Sequence, residues 1–249
     1  MQYIMRKLRY LYWVLLLILG TTVSAQLPAE QNNKAGFRKS ACGGFVMHTQ
    51  GLGLNIYFSK FKTADTKKLF AFDILSMKHS KEVKSFGVID ENAKGFVYGK
   101  LNSLYILRFG YGRKKILHEK LREQAVEISC VWTAGPSFGM AKPVYLEVFD
   151  IVGEIRQVER YDPEKHDLSN IFGRGPASRG FSEIKFYPGA FLKVAVAFEY
   201  SGYRSGIKAI EVGGVLDAYS RRIPIMTNTQ NNFLYPSLYI NLLFGKKYF

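Results

Sequence analysis

The stretch from Leu234 to Phe244 alternates with a period of two. Leu238, Ile240, Leu242 and Phe244 fall on one face, and Ser237, Tyr239, Asn241 and Gly245 on the other. A strand built this way meets an apolar surrounding on one side and a polar one on the other. The same alternation recurs in at least five other segments, which is how the wall of a membrane barrel reads.

The opposite end of the chain reads as an export signal. Arg6, Lys7 and Arg9 form a positive region, Leu11 to Gly20 an apolar one, and Val23-Ser24-Ala25 a small-residue cleavage site before Gln26. An anchoring helix needs roughly 20 apolar residues and this run has about ten. No cysteine follows the cleavage site to take a lipid anchor. Residues 1–25 are therefore expected to be a signal peptide, 26–40 a short polar segment and 41–249 one barrel domain. No later segment is apolar enough over its length for a membrane helix, so insertion would have to be through strands.

Removing the signal takes three of the 35 Lys+Arg and none of the 20 Asp+Glu, leaving a net charge of +12. An exported chain seldom meets nucleic acid. Anionic headgroups and lipopolysaccharide phosphates are the expected counterpart of the basic surface, with no nucleic-acid partner. The 19 Phe, 16 Tyr and 2 Trp suit aromatic girdles at membrane interfaces, although a soluble β-sandwich would use them nearly as well.

Following the alternation along the chain gives eight expected strands. The first runs from Ala41 to Thr49 and turns at Gln50-Gly51. The second, Leu52 to Lys62, sets Leu52, Leu54, Ile56 and Phe58 against Gly53, Asn55, Tyr57 and Ser59. The third, Lys68 to Met77, turns Phe70, Phe72 and Ile74 outward and Asp73 inward. The fourth spans Leu104 to Gly112, followed by a basic connection Arg113 to Arg122, and the fifth spans Gln124 to Met140. The sixth is Glu183 to Tyr200, the seventh Ile207 to Tyr219, with Glu211, Gly213 and Asp217 inward, and the eighth is C-terminal. The fold class is thus all-β, an antiparallel transmembrane β-barrel of about eight strands, with short periplasmic turns and long extracellular loops. A ten-stranded count, using Val144 to Phe149 in a further hairpin, is the alternative.

An eight-stranded barrel is filled by side chains rather than open. Asp73, Arg108, Glu127, Lys193, Glu199 and Glu211 all have inward parity. Both signs are present, so mutual pairing is the expected role, because an unpaired buried charge is costly. A polar pathway for a small solute is the functional alternative.

Five stretches carry a resemblance: Met77-Lys-His-Ser-Lys-Glu-Val, Tyr98-Gly-Lys-Leu-Asn-Ser-Leu-Tyr, Phe109-Gly-Tyr-Gly-Arg, Phe181-Ser-Glu-Ile-Lys-Phe-Tyr-Pro-Gly and Glu211-Val-Gly-Gly-Val-Leu-Asp-Ala-Tyr. Across most of the chain after the signal it resembles an uncharacterised family of outer-membrane β-barrel proteins of Bacteroidetes-type bacteria. More distantly it is similar to the small OmpA and OmpX architecture. The resemblance implies a Gram-negative outer-membrane location and brings no catalytic residue, cofactor or ligand with it. One departure is the C-terminus, where Gly245-Lys-Lys-Tyr-Phe follows Phe244.

Chemistry-bearing motifs are sparse. His48, His79, His118 and His166 have no zinc-type spacing with the two cysteines, and no cofactor is expected. His48 beside Thr49, or His79 beside Ser80, would be the places to look for a lipid A-modifying centre, but a non-enzymatic protein is the expectation. Cys42 and Cys130 fall on strands across the barrel and are not expected to pair. Asp162, Glu164, His166 and Asp167 gather in one loop, where a cation site competes with ordinary Asp turn capping. The expected role is structural, or interaction through outer loops. A subunit of an outer-membrane secretion or assembly complex, using the basic connection Arg113 to Arg122, is the alternative.

Overall fold

The computed structural model describes residues 39–63, 65–86, 94–120, 125–150, 155–201, 206–227 and 229–248. The expected export signal lies outside them. Eight strands close into an antiparallel barrel: β1 (Lys39–His48), β2 (Gly51–Phe61), β3 (Thr66–Met77), β6 (Asn102–His118), β7 (Glu127–Pro143), β11 (Lys185–Glu199), β12 (Gly206–Tyr219) and β13 (Leu234–Tyr248). Each hydrogen-bonds the next, and β13 returns to β1 to leave no edge.

Parity decides which side of the wall each residue faces. Leu54, Ile56 and Phe58 of β2 and Leu238, Ile240 and Phe244 of β13 are exposed, whereas Asn55, Tyr57, Ser237, Tyr239 and Asn241 are buried inside. A one-residue slip of any strand would reverse this for its whole length, so the pattern pins the register. The fill combines aliphatic residues such as Leu75, Leu104, Ile106 and Val131 with Tyr57, Tyr187, Phe191, Tyr219, Tyr235 and Tyr239.

At one end, residues 62–65, 119–126 and 200–205 make short connections; this is the turn end. At the other, 49–50 is a tight turn and 78–101, 144–184 and 220–233 are longer. The second of these carries β8 (Tyr145–Asp150), β9 (Ile155–Arg160) and β10 (Ile171–Arg174) as a separate sheet, and the first carries the short pair β4 (Lys84–Ser85) and β5 (Phe96–Val97). Leu146, Val148, Tyr161, Ile171 and Phe96 form a small core of their own outside the barrel. Residues 144–149 thus extend no wall strand, and the count is eight. The last long connection folds back over the barrel mouth: Ile223 and Ile225 are 0% and 1% exposed. Ile225 O accepts the amides of Leu101 and Asn102, and Pro224 O accepts Asn102 Nδ2.

Three expectations need correcting. The tight turn is Thr49-Gln50, because His48 pairs with Gly51 in the ladder. Gly51 is used for close approach, since a Cβ there would lie 2.1 Å from Ser76 O. The fourth wall strand runs on to His118, so Arg113 to His118 is wall and only the remainder of the basic segment connects β6 to β7. Its charges mimic a turn while keeping strand parity, with Lys114 inward and Arg113 and Lys115 outward. The fifth wall strand is also displaced, ending at Pro143 rather than Met140.

Gly112 shows how tightly the wall is drawn where β6 meets β7. A Cβ there would sit 1.9 Å from Trp132 O, a backbone atom that no rotamer change can move. Gly112→Ala is expected to lower stability by about 1–3 kcal/mol through overpacking. Gly214→Ala, whose Cβ would meet only Leu238 Cδ2 at 3.7 Å, should be close to neutral. Urea unfolding of the two refolded variants side by side checks the contrast.

Candidate functional site in the barrel interior

The strands bring two charged clusters into the barrel. Nearer the long-connection end, β3 supplies Asp73, β6 Arg108, β11 Lys193 and β12 Asp217. Arg108 donates through Nε to Asp217 Oδ1 at 2.8 Å and through a terminal nitrogen to Asp217 Oδ2 at 2.5 Å, a bidentate pair. Its other nitrogen lies 3.7 Å from Asp73 Oδ2, which also accepts from Lys193 Nζ at 3.0 Å. All four are at most 2% exposed. Two cations and two anions so interlocked cancel their charge locally, which is the condition for keeping them ionised away from water.

Ser137 Oγ donates to Asp217 at 3.1 Å and lies 3.1 Å from the Tyr219 hydroxyl. Lys193 Nζ sits 5.2 and 4.8 Å from the ring centres of Tyr57 and Tyr239. Those two hydroxyls donate to Glu211 Oε1 at 2.9 and 2.7 Å, so a tyrosine pair links Glu211 to the cation.

Nearer the turn end lies the second cluster. Glu199 is met by Lys247 at 2.7 Å, Lys114 at 3.7 Å and Lys120 at 3.9 Å, and Lys114 also reaches Glu127 at 3.5 Å. Lys67, 4% exposed, stands beside them with its ammonium 4.5 Å from the Phe61 ring centre. The space left among Tyr57, Ser59, Lys67, Lys114, Glu199 and Glu211 is about 30 Å³. That holds a water molecule or two.

Of the six interior charges read from parity, Asp73, Arg108 and Lys193 meet in the first cluster, Glu127 and Glu199 in the second, and Glu211 lies among the tyrosines. Asp217 was visible as inward, but its role as the main partner of Arg108 depends on which strands lie across the barrel. Lys114 was hidden in the segment read as a connection, and Lys247 lies past Gly245, where the alternation looked spent.

The acidic loop does not assemble a cation site. Among the described residues no three His, Cys, Asp or Glu side chains come together in a way that would hold a metal ion. Asp162 Oδ1 accepts the Glu164 amide, and His166 Nδ1 accepts the Asp162 amide. Asp167 Oδ1 accepts from Ser169 Oγ and from the Ser169 and Asn170 amides. These hydrogen bonds, led by the Ser169 hydroxyl, hold the Asp167 carboxyl below the usual range. Asp162 Oδ1 and Asp167 Oδ1 thus cap the turn.

At the other mouth residue, His48, both ring nitrogens are turned to backbone. Nε2 donates to Ser76 O at 3.1 Å and Nδ1 accepts the Gln50 amide at 3.3 Å. Cys42 and Cys130 are free thiols.

No family model matches the chain, and no curated protein sequence matches it. Among solved structures it is similar to Ail, the attachment invasion locus protein of Yersinia pestis. The identity is 8%, the TM-score 0.41, and the match covers 85% of this chain and 97% of Ail. Ail in complex with the heparin analogue sucrose octasulfate gives 7% identity and a TM-score of 0.39 over the same shares. Neisserial surface protein A gives 8% identity and a TM-score of 0.42, covering 86% of this chain and 98% of that one. At such identities and TM-scores the likeness carries no argument about this chain.

Proposed function

We propose that this chain is an integral outer-membrane β-barrel protein with a side-chain-filled interior, acting through its long loops in a structural or interaction role. The observation that carries this reading is the sorting of side chains across the wall. On the outward parity of the eight strands, among the described residues, the middle of the belt is Leu, Ile, Val, Phe, Tyr, Ala and Gly, together with Cys130, Trp132 and Pro136 of β7, with no acidic residue. The charged side chains at mid-wall point inward, where Asp73, Arg108, Lys193 and Asp217 pair with one another and Glu211 accepts from two tyrosines. A soluble barrel has no reason to expose Leu238 at 69% and Leu54 at 59% in rows while burying Lys193 and Asp217. A lipid surround gives that reason.

Loop lengths set the orientation, with the turn end periplasmic and the long connections outside. Transport of a solute is disfavoured by the interlocked interior, where the gap at the second cluster is about 30 Å³. Catalysis is not part of the proposal, because His48 is engaged with backbone and no nucleophile is paired with it in the described contacts. The lipids and lipopolysaccharide of the membrane are the proposed surroundings. The segment Arg113 to Arg122 gives little support to a docking turn for an assembly complex, since six of its ten residues are wall.

Orientation is tested by cysteine labelling in a Cys42→Ser, Cys130→Ser background. Glu164→Cys should react with a membrane-impermeant maleimide on intact cells, and Lys62→Cys only after the outer membrane is permeabilised. The reverse pattern would invert the topology, and labelling of neither until cells are broken open would remove the protein from the outer membrane.

A further inference from the structure

The exposed outward cations of the described wall strands, Lys39, Lys60, Lys68, Arg113, Lys115, Lys208 and Lys246, all lie at the turn end. Lys39 of β1 stands opposite Lys60 of β2, Lys60 opposite Lys68 of β3, and Lys68 opposite Arg113 of β6. These are three successive like-charge cross-strand pairs on four neighbouring strands, and all four side chains are exposed. Like charges directly opposite one another destabilise a sheet. No outward acidic residue on the described parts of β1, β2, β3 or β6 offsets them.

Aromatic residues close the row at both ends. Tyr248 is opposite Lys39, and Trp132 is opposite Arg113 with the guanidinium carbon 6.0 Å from its ring centre. One same-face step further along lie Phe58, Phe70 and Tyr111, the last two with ring centres 5.1 Å apart. A ladder of cations on strands about 4.8 Å apart, against an aromatic row and then the apolar belt, is the layout of a headgroup site above an acyl-chain site. Barrel strands tilt by roughly 35–45°, so the row climbs from the rim toward the belt, and the long stems let the charges reach back to headgroup level. Beyond Trp132 the outward residues of β7 and β11 near this end include Ile128 and Phe198 in place of charges. Lys208 and Lys246 on β12 and β13 face Phe244, Ala41 and Gly206 rather than another cation, so the run of like charges directly opposite one another is confined to β1, β2, β3 and β6.

We propose that Lys39, Lys60, Lys68 and Arg113 form a binding site for the phosphates of anionic phospholipid in the leaflet at the turn end of the barrel. Neighbouring phosphates bridge cations that would otherwise repel one another. The site rests on the membrane reading above and adds to it a preferred lipid and a preferred side of the barrel.

Trp132 reports on this directly. Trp13→Phe leaves it the single tryptophan of the full chain. The protein is reconstituted in phosphatidylcholine vesicles containing a fixed fraction of brominated phosphatidylglycerol or, separately, the same fraction of brominated phosphatidylcholine. Quenching should show local enrichment of the anionic lipid by at least about fivefold. The combined Lys39→Gln, Lys60→Gln, Lys68→Gln, Arg113→Gln variant should abolish that enrichment, and Lys208→Gln with Lys246→Gln should leave it. Equal quenching by the two lipids overturns the site, as does enrichment that survives the fourfold variant or falls equally in both variants. Shifted gel mobility before boiling confirms insertion in every sample. A wild-type chain that never inserts contradicts the membrane reading itself, before any lipid is compared.

Discussion

Arg108→Leu is expected to destabilise the folded barrel by about 3–5 kcal/mol, the loss that follows when one partner of a buried ion pair is removed. The size follows from what remains. Asp217 would lose both of its charged hydrogen bonds, at 2.8 and 2.5 Å, and keep only Ser137, while Asp73 would retain Lys193 alone. One net negative charge would then be stranded in a fully buried part of the interior. Removing Asp217 as well, as in Arg108→Leu with Asp217→Leu, takes away the stranded charge. The double variant should therefore be less destabilised than the sum of the two single changes, with a coupling of about 0.5–3 kcal/mol. Equilibrium urea unfolding in one lipid or detergent, for wild type, both singles and the double, measures it. Additive effects would mean that the pair does not act as a unit.

The second large effect concerns the outer face. Ile240→Arg, in the middle of β13 with its side chain 48% exposed, should cost about 2–4 kcal/mol in a bilayer, where the guanidinium faces hydrocarbon. Leu234→Arg, at the long-connection end of the same strand, should cost about 0–1 kcal/mol. In a soluble protein both would be tolerated surface changes, because exposed side chains tolerate charge in water. The comparison reads out depth in a membrane with two substitutions on one strand face, and refolding midpoints into vesicles supply the measurement. Equal small effects at both positions would argue that water, not lipid, covers this face.

The wall was legible in the sequence because alternation is local. Each of Leu54, Asn55, Ile56 and Tyr57 declares its side by its neighbours, and the register then follows from keeping the apolar faces together. Strand ends were less legible where charge occurs on both parities, as at Arg113, Lys114 and Lys115, since a strand leaving the apolar layer looks like a solvated turn. The interior network was only half legible. Parity shows that Arg108 and Asp217 point inward, but 109 residues separate them. Which of the inward acids meets Arg108 depends on barrel closure and stagger, which no single segment encodes. Of the small sheet, β8 was legible as Val144 to Phe149, while β9 and β10 were not: they are short, and the sheet's core of Leu146, Val148, Tyr161 and Ile171 is completed by Phe96 from another connection. In the acidic loop the two readings that the sequence left in competition are separated only by the hydrogen bonds, which Asp162 and Asp167 accept from local amides.

The central claim is a closed barrel in the outer membrane, and one preparation tests it: membrane fractionation of the expressed protein, with each fraction run on gels boiled and unboiled. Recovery in the outer-membrane fraction with mobility that changes on boiling is the expected result, because a closed barrel resists detergent until heated. A soluble periplasmic product with the same mobility under both conditions would contradict it, and would mean that the exposed rows of Leu, Ile and Phe meet some other apolar surface.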